Sequence, residues 1–139
     1  MVHSSPNLPT WKDVPIGSIL SSGLGATAWV LNDANAFTLA EARLGAGVGA
    51  SPVVGLTLGT GVGGGVVAAG RLLSGPNAIA GEWGHNPLPW PSDSEWPGPP
   101  CYCGKTGCIE TFLSGPGLAA EHERATGVRR RAPDRTGRS

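Results

Sequence analysis

Three cysteines stand within eight residues, in the run CYCGKTGC that holds Cys101, Cys103 and Cys108. Thiols crowded so closely constrain the fold more than any other feature of this 139-residue chain. Gly104 and Gly107 let the backbone turn tightly enough to bring Cys103 and Cys108 round one ion. Three thiolates and one imidazole make a closed tetrahedral zinc set of the structural kind, and the candidate fourth ligand is His85, upstream in EWGH. The spacing leaves one alternative open, three free thiols beside an ordinary histidine. Cysteines used in this way suit a reducing, cytoplasmic compartment better than a disulfide framework suits them.

Composition then says what the rest of the chain can be. Glycine and proline, 23 and 13 residues, cluster between apolar runs such as VVGLTL and GVVAAG, the pattern of a loop-rich folded protein and not of a disordered one. Ten basic and ten acidic residues cancel, so charge gives no case for a nucleic-acid or anionic-membrane partner. No apolar run is long enough to span a bilayer, and the first residues lack the apolar core of a signal peptide. Five of the ten basic residues, Arg129, Arg130, Arg131, Arg135 and Arg138, fall in residues 129–139. That end is expected to be a disordered basic tail.

The order of elements is α/β. Ile16, Ile19 and Leu20 are spaced for a short amphipathic helix after a proline-rich opening. TAWVLND reads as a strand with Trp29 in the core, followed through Asn32 and Asp33 by a helix over ANAFTLAEARL that ends at glycine. The β-branched run 52–58, a glycine loop 59–65, Val66–Ala69 and a turn at Gly70-Arg71 predict a β-hairpin. Residues 74–107 read as a long ordered loop built around a site. A last helix follows, with Ser114 as its cap and Gly127 as its stop.

Several residues in this frame can carry chemistry. Asp33, between strand and helix, is either an N-cap or a general base facing a cleft, and sequence geometry does not decide between them. LGTGVGGG contains G-x-G-x-x-G at Gly59, Gly61 and Gly64, with Glu82 about twenty residues on. A strand follows the glycines where a dinucleotide site needs a helix, and no Walker lysine is present. What remains is a hairpin whose N–H groups, with Thr60, face a phosphate, or else a plain glycine turn. Glu82 and Glu110 flank the cysteines and suit the vicinal hydroxyls of a sugar, which donate and accept; the alternative is two surface glutamates. Most of the five tryptophans read as packing anchors in proline-rich loops.

Taken together, SPNLPTW, NDANAFTLAEA, GLTLGTGVGGG, AGEWGHNPLPW and CYCGKTGCIETFLSG, in this order, resemble the ROK family of sugar kinases and sugar-responsive repressors. The last two stretches look most like its fructokinase (mannofructokinase) branch. The resemblance implies a partial actin-like (ribonuclease H-like) ATPase fold. It places residues 1–50 at the end of a small N-terminal lobe and residues 51–128 at the start of a large lobe with a zinc-binding loop. It further implies Asp33 as catalytic base, Asn32, Glu82, His85 and Glu110 as sugar contacts, Thr60 and Gly61 facing the ATP phosphates, and His85, Cys101, Cys103 and Cys108 as zinc ligands. The implied reaction is phosphoryl transfer from Mg-ATP to a hexose, with fructose the first candidate, in an enzyme that is a homodimer when complete.

The resemblance covers roughly Ser5 to Gly127. The family's first phosphate turn and its adenosine motif have no counterpart here, so the chain is expected to be a fragment truncated at both ends, with little or no kinase activity alone. VRRRAPDRTGRS is expected to be an out-of-frame end. Two other readings stand beside the kinase: the sugar-sensing module of a ROK-type repressor without its DNA-binding domain, and a product that does not fold stably because its sheet edges lie uncovered.

Overall fold

The fold is described by a computed structural model for residues 13–76 and 80–129. The SPNLPTW stretch and nearly all of the basic tail lie outside the described residues. The chain forms two compact units, residues 1–32 and 33–139.

In the first unit, helix α1 spans Ile16–Leu24 and stops at Gly25, whose φ of 63° is the left-handed conformation glycine adopts at little cost. Ser21 Oγ donates to the Gly17 carbonyl and accepts from the Ala28 N–H, folding the following turn back on the helix. The expected strand over TAWVLND is not formed, and Trp29 is 85 % exposed, not core. A strand exists only as a member of a hydrogen-bonded ladder. The described residues give this run no ladder.

The second unit opens with helix α2, Asp33–Leu44, a run free of glycine and proline that ends at Gly45 as expected. Strands β1 (Val53–Leu58), β2 (Val62–Ala68) and β3 (Arg71–Leu72) form one antiparallel sheet in that order, with Leu58 opposite Val62 and Gly55 opposite Gly65. The glycine loop is therefore shorter than expected: only Gly59, Thr60 and Gly61 turn, and Gly63 to Gly65 are strand. The helix explains why these strand positions are glycine. Thr38 of α2 is 0 % exposed, and a Cβ on Gly55 or Gly65 would collide with its hydroxyl. Ala34 sits over Gly63 in the same way. α2 packs on β1 and β2 within the second compact unit.

Successive strand residues face opposite sides, so Gly64 faces away from α2. There Trp83 covers it, in a short 3-10 helix, Trp83–His85. The described residues of 80–107 are otherwise irregular, tied by bridges from Pro87 to Cys108 and from Pro100 to Thr106. Trp90 and Trp96 are 94 % and 74 % exposed and so do not anchor packing; Trp11 lies outside the described residues. Helix α3, Ile109–Leu113, was not expected from the sequence. Helix α4, Gly115–Thr126, was: Ser114 Oγ accepts from the Gly117 N–H at 3.1 Å, and Gly127 closes the helix with φ 69°.

Candidate functional site

The cysteine loop closes as its glycines require. Gly104 and Gly107 both take positive φ, 89° and 66°. The Cys101 N–H donates to the Lys105 carbonyl, and the Leu88 N–H to the Gly107 carbonyl. The second bond, with the Pro87–Cys108 bridge, fastens the cysteine loop to the segment that follows His85. As a result, one ligand atom from each of His85, Cys101, Cys103 and Cys108 lies within 4.8 Å of the others.

The spacings fit the donor set. Bonds of roughly 2.3 Å to sulfur and 2.0–2.1 Å to nitrogen give tetrahedral edges of about 3.8 Å between sulfurs and about 3.5 Å between sulfur and nitrogen. Cys103 Sγ and Cys108 Sγ are 3.7 Å apart, and Cys101 Sγ is 3.5 Å from His85 Nδ1. All three thiols are free, so no disulfide competes for them. Their environments differ. The Lys105 backbone N–H holds the exposed Cys103 thiol below its ordinary pKa, whereas burial pushes Cys108 up to about 11. A cation here would hold the residues on either side of the proline-rich loop together.

His85 has its other nitrogen engaged too. Nε2 lies 3.0 Å from the Tyr102 hydroxyl, and the two rings meet edge to face with centroids 5.0 Å apart. Sequence reasoning passed over Tyr102. No local pattern pointed to it, since its partner lies 17 positions away.

Glu110 is the hinge of the remaining candidates. It is 9 % exposed, and its Oε2 accepts from the Val62 N–H at 2.9 Å. The same oxygen lies where a Cβ on Gly61 or Gly84 would stand 2.7 or 3.3 Å from it. Glu110 is thus no surface group: it joins the glycine turn to the segment that carries Glu82 and His85. Glu82 itself is exposed, directly before the 3-10 helix.

The turn's own donors can be followed one by one. The Gly59 N–H donates to the Gly61 carbonyl, and Val62 to Glu110. The turn's remaining N–H groups belong to Thr60 and Gly61, the two residues singled out from the sequence. The Gly115 N–H donates to the Gly59 carbonyl at 2.7 Å and fixes the start of α4 against the turn. Thr60, Glu110, Cys101 and Tyr102 line one open cavity of about 440 Å³ together with the first residues of α4.

Asp33 stands in the first turn of α2, exposed, with Oδ1 accepting from the Ala34 N–H at 2.9 Å. It is a first-turn residue and not the cap. The positive end of the helix favours its charge. α2 lies on one face of β2 and Trp83, beside Glu82, on the other, but Asp33's end of the helix lies toward the turn: Ala34 meets Gly63, while Thr38 meets Gly65 further along the strand. Asn32 ends the first compact unit.

Known proteins resemble this chain along most of its length. The model of the ROK family matches residues 1–135. The glucokinase of Thermotoga maritima is 46% identical over 114 residues, covering 82% of this chain and 34% of the relative. The N-acetyl-D-glucosamine kinase of Vibrio cholerae is 40% identical over 132 residues, 92% of this chain and 44% of the relative. The chain thus spans about a third to under a half of the curated relatives it matches. Among solved structures, a ROK hexokinase from Thermus thermophilus superposes with a TM-score of 0.73 at 40% identity, covering 90% of this chain and 40% of the other. A ROK family transcriptional regulator, a homologue of the E. coli MLC protein, gives the same TM-score at 28% identity, with 90% and 31% covered.

Proposed function

Because this chain belongs to the ROK family, whose solved structures share the actin-like ATPase fold of which it is a part, we propose that it supplies the hexose-facing and metal-holding segment of an ATP-dependent sugar kinase. The observation that carries this reading is the setting of Glu110, which ties the Thr60 turn to the segment of Glu82 and His85 and lines one cavity with Thr60. A sugar-holding carboxylate and phosphate-facing N–H groups must adjoin for a phosphoryl group to pass between their ligands.

In this mechanism Glu82 and Glu110 orient the hexose by its hydroxyls. Asp33 accepts the proton of the attacking hydroxyl through the oxygen that does not bind the Ala34 N–H. The hydroxyl oxygen bonds to the γ-phosphorus as the bond to the bridging oxygen of ADP breaks, and the N–H groups of Thr60 and Gly61 face the charge on the transferring group. His85, Cys101, Cys103 and Cys108 would hold zinc as a structural ion, and so would tie together the segments around the cavity. Adenosine contacts are assigned to no residue of this chain.

The relatives' names are glucokinase and N-acetylglucosamine kinase, so glucose and N-acetylglucosamine stand ahead of fructose, the sugar suggested by EWGHNPLPW and CYCGKTGCIETF. Among the described residues no helix is long and apolar enough to cross a membrane, and the thiol-rich metal site supports a reducing, cytoplasmic setting. The test is ADP release from ATP in the presence of glucose, N-acetylglucosamine, mannose or fructose. Hexose-dependent release that falls by roughly 10²-fold or more in Asp33→Asn supports the assignment. Release that is indifferent to Asp33 contradicts it.

A second reading is favoured by the likeness to the transcriptional regulator: a sugar-sensing module that keeps hexose binding without phosphoryl transfer. Hexose-dependent retention of DNA in a shift assay selects it.

A further inference from the structure

We propose that Tyr102 is the positioning residue of the metal centre, its hydroxyl holding the His85 ring so that Nδ1 faces the three sulfurs. The argument starts from the ring's two nitrogens. Nδ1 lies 3.5 Å from Cys101 Sγ, on the ion-holding side, and can serve as a ligand only through its lone pair. The proton must then sit on Nε2. The atom that receives it is the Tyr102 oxygen, 3.0 Å away.

An imidazole on a short 3-10 helix can rotate about its χ angles, and a single hydrogen bond leaves one rotation open. The phenol restricts that as well, since its ring meets the imidazole edge to face with 87° between planes. Two constraints from one side chain fix the orientation of the ring, part of the role outer-shell partners play at histidine-ligated metals. Tyr102 lies between Cys101 and Cys103, so whatever closes the cysteine loop also delivers the hydroxyl to His85.

The hydroxyl has a second aspect. With its oxygen accepting from Nε2–H, its own proton remains to be donated, and Tyr102 lines the same cavity as Glu110 and Thr60. The side chain therefore links the metal-holding ring to the space proposed for substrate. It is 77 % exposed, so its removal takes little from the core.

The proposal rests on the metal reading above for the proton on Nε2 and for its effect on affinity, and the test separates the two. The chain is compared with Tyr102→Phe, which keeps the ring and removes the hydroxyl, in two measurements. In the metal-free chain labelled with ¹⁵N-histidine, the Nε2–H proton of His85 gives a resonance protected from exchange with water. In Tyr102→Phe that resonance is lost. In a cobalt titration, the charge-transfer and ligand-field bands of a tetrahedral thiolate site report binding, and the variant is expected to bind roughly 10-fold to 100-fold more weakly with the bands retained. A His85 N–H equally protected in both proteins overturns the proposal, as does equal cobalt affinity. If the unsubstituted chain takes up no cobalt, the metal reading fails, and the histidine spectra alone decide what Tyr102 does. Thermal melts run in parallel show that both chains are folded.

Discussion

Replacing Glu110 separates its part in the fold from its part in the site. Its Oε2 is the acceptor for the Val62 N–H at 2.9 Å, and both residues are nearly excluded from solvent, at 9 % and 7 % exposure. Glu110→Ala strands that N–H where water does not replace the carboxylate. A hydrogen bond to a charged group contributes about 1.5–3 kcal/mol, and a stranded buried donor costs a similar amount. For a folded unit of this size each kcal/mol moves the melting temperature by roughly 3–5 °C. Glu110→Ala is therefore expected to melt about 5–15 °C lower in zinc-supplemented buffer. Glu110→Gln keeps an oxygen at the same reach and is expected to melt within a few degrees of the parent while binding hexose more weakly. Differential scanning fluorimetry checks the first pair of values and calorimetric titration the second. Two outcomes refute the reasoning: an alanine variant as stable as the parent, or a glutamine variant as unstable as the alanine one.

Gly65→Ala puts a Cβ at 2.7 Å from Thr38 Oγ1 and 2.9 Å from Asn35 Oδ1. The helix must shift, and a loss of about 1–3 kcal/mol is expected in denaturant unfolding; Gly23→Ala, whose Cβ meets nothing within 4 Å, is the control. Burial raises Cys108 to about 11, above the value of about 8.5 for a free thiol. The metal-free fold accordingly holds this contribution in full below pH 8.5 or so and loses it as pH climbs through about 11, which melts across that window measure against Cys108→Ala. Chelation of the metal is expected to open residues 85–108 to limited proteolysis while α2 and the sheet stay protected, because only the loop depends on the ion. Mass mapping of the first cuts checks this.

Much of this arrangement was legible before any coordinates. Ser114 and Gly127 bracket α4 as read because capping is local: a hydroxyl three residues before a donor and a glycine in the left-handed region require nothing from the rest of the chain. The metal cluster was legible for the same reason, with three of its ligands inside eight residues. The failures are all tertiary. Trp29 and TAWVLND have the composition of a buried strand, but a strand is made by its neighbour, and the described residues supply none. Gly63 to Gly65 look like loop until Thr38, Ala34 and Trp83 are set on either side of β2. Glu110 read equally well as a surface glutamate, and its bond to Val62 spans 48 positions. Tyr102 was invisible because its partner lies 17 residues away. Asp33 keeps its two readings narrowed to one correction: it sits inside the first turn of α2, with one carboxylate oxygen on the Ala34 N–H.

We propose that Glu82 and Glu110 hold a hexose beside the Thr60 turn. Calorimetric titration of the zinc-loaded chain with glucose, N-acetylglucosamine and fructose tests it most directly, with Glu82→Gln measured alongside. Glu82 is exposed and makes no core contact, so its replacement leaves the fold intact. Saturable binding of at least one hexose, weakened at least about 10-fold by Glu82→Gln as the loss of a hydrogen bond to a charged group requires, is the predicted result. Binding of no hexose by the folded, zinc-loaded chain, or binding unchanged by Glu82→Gln, contradicts the account.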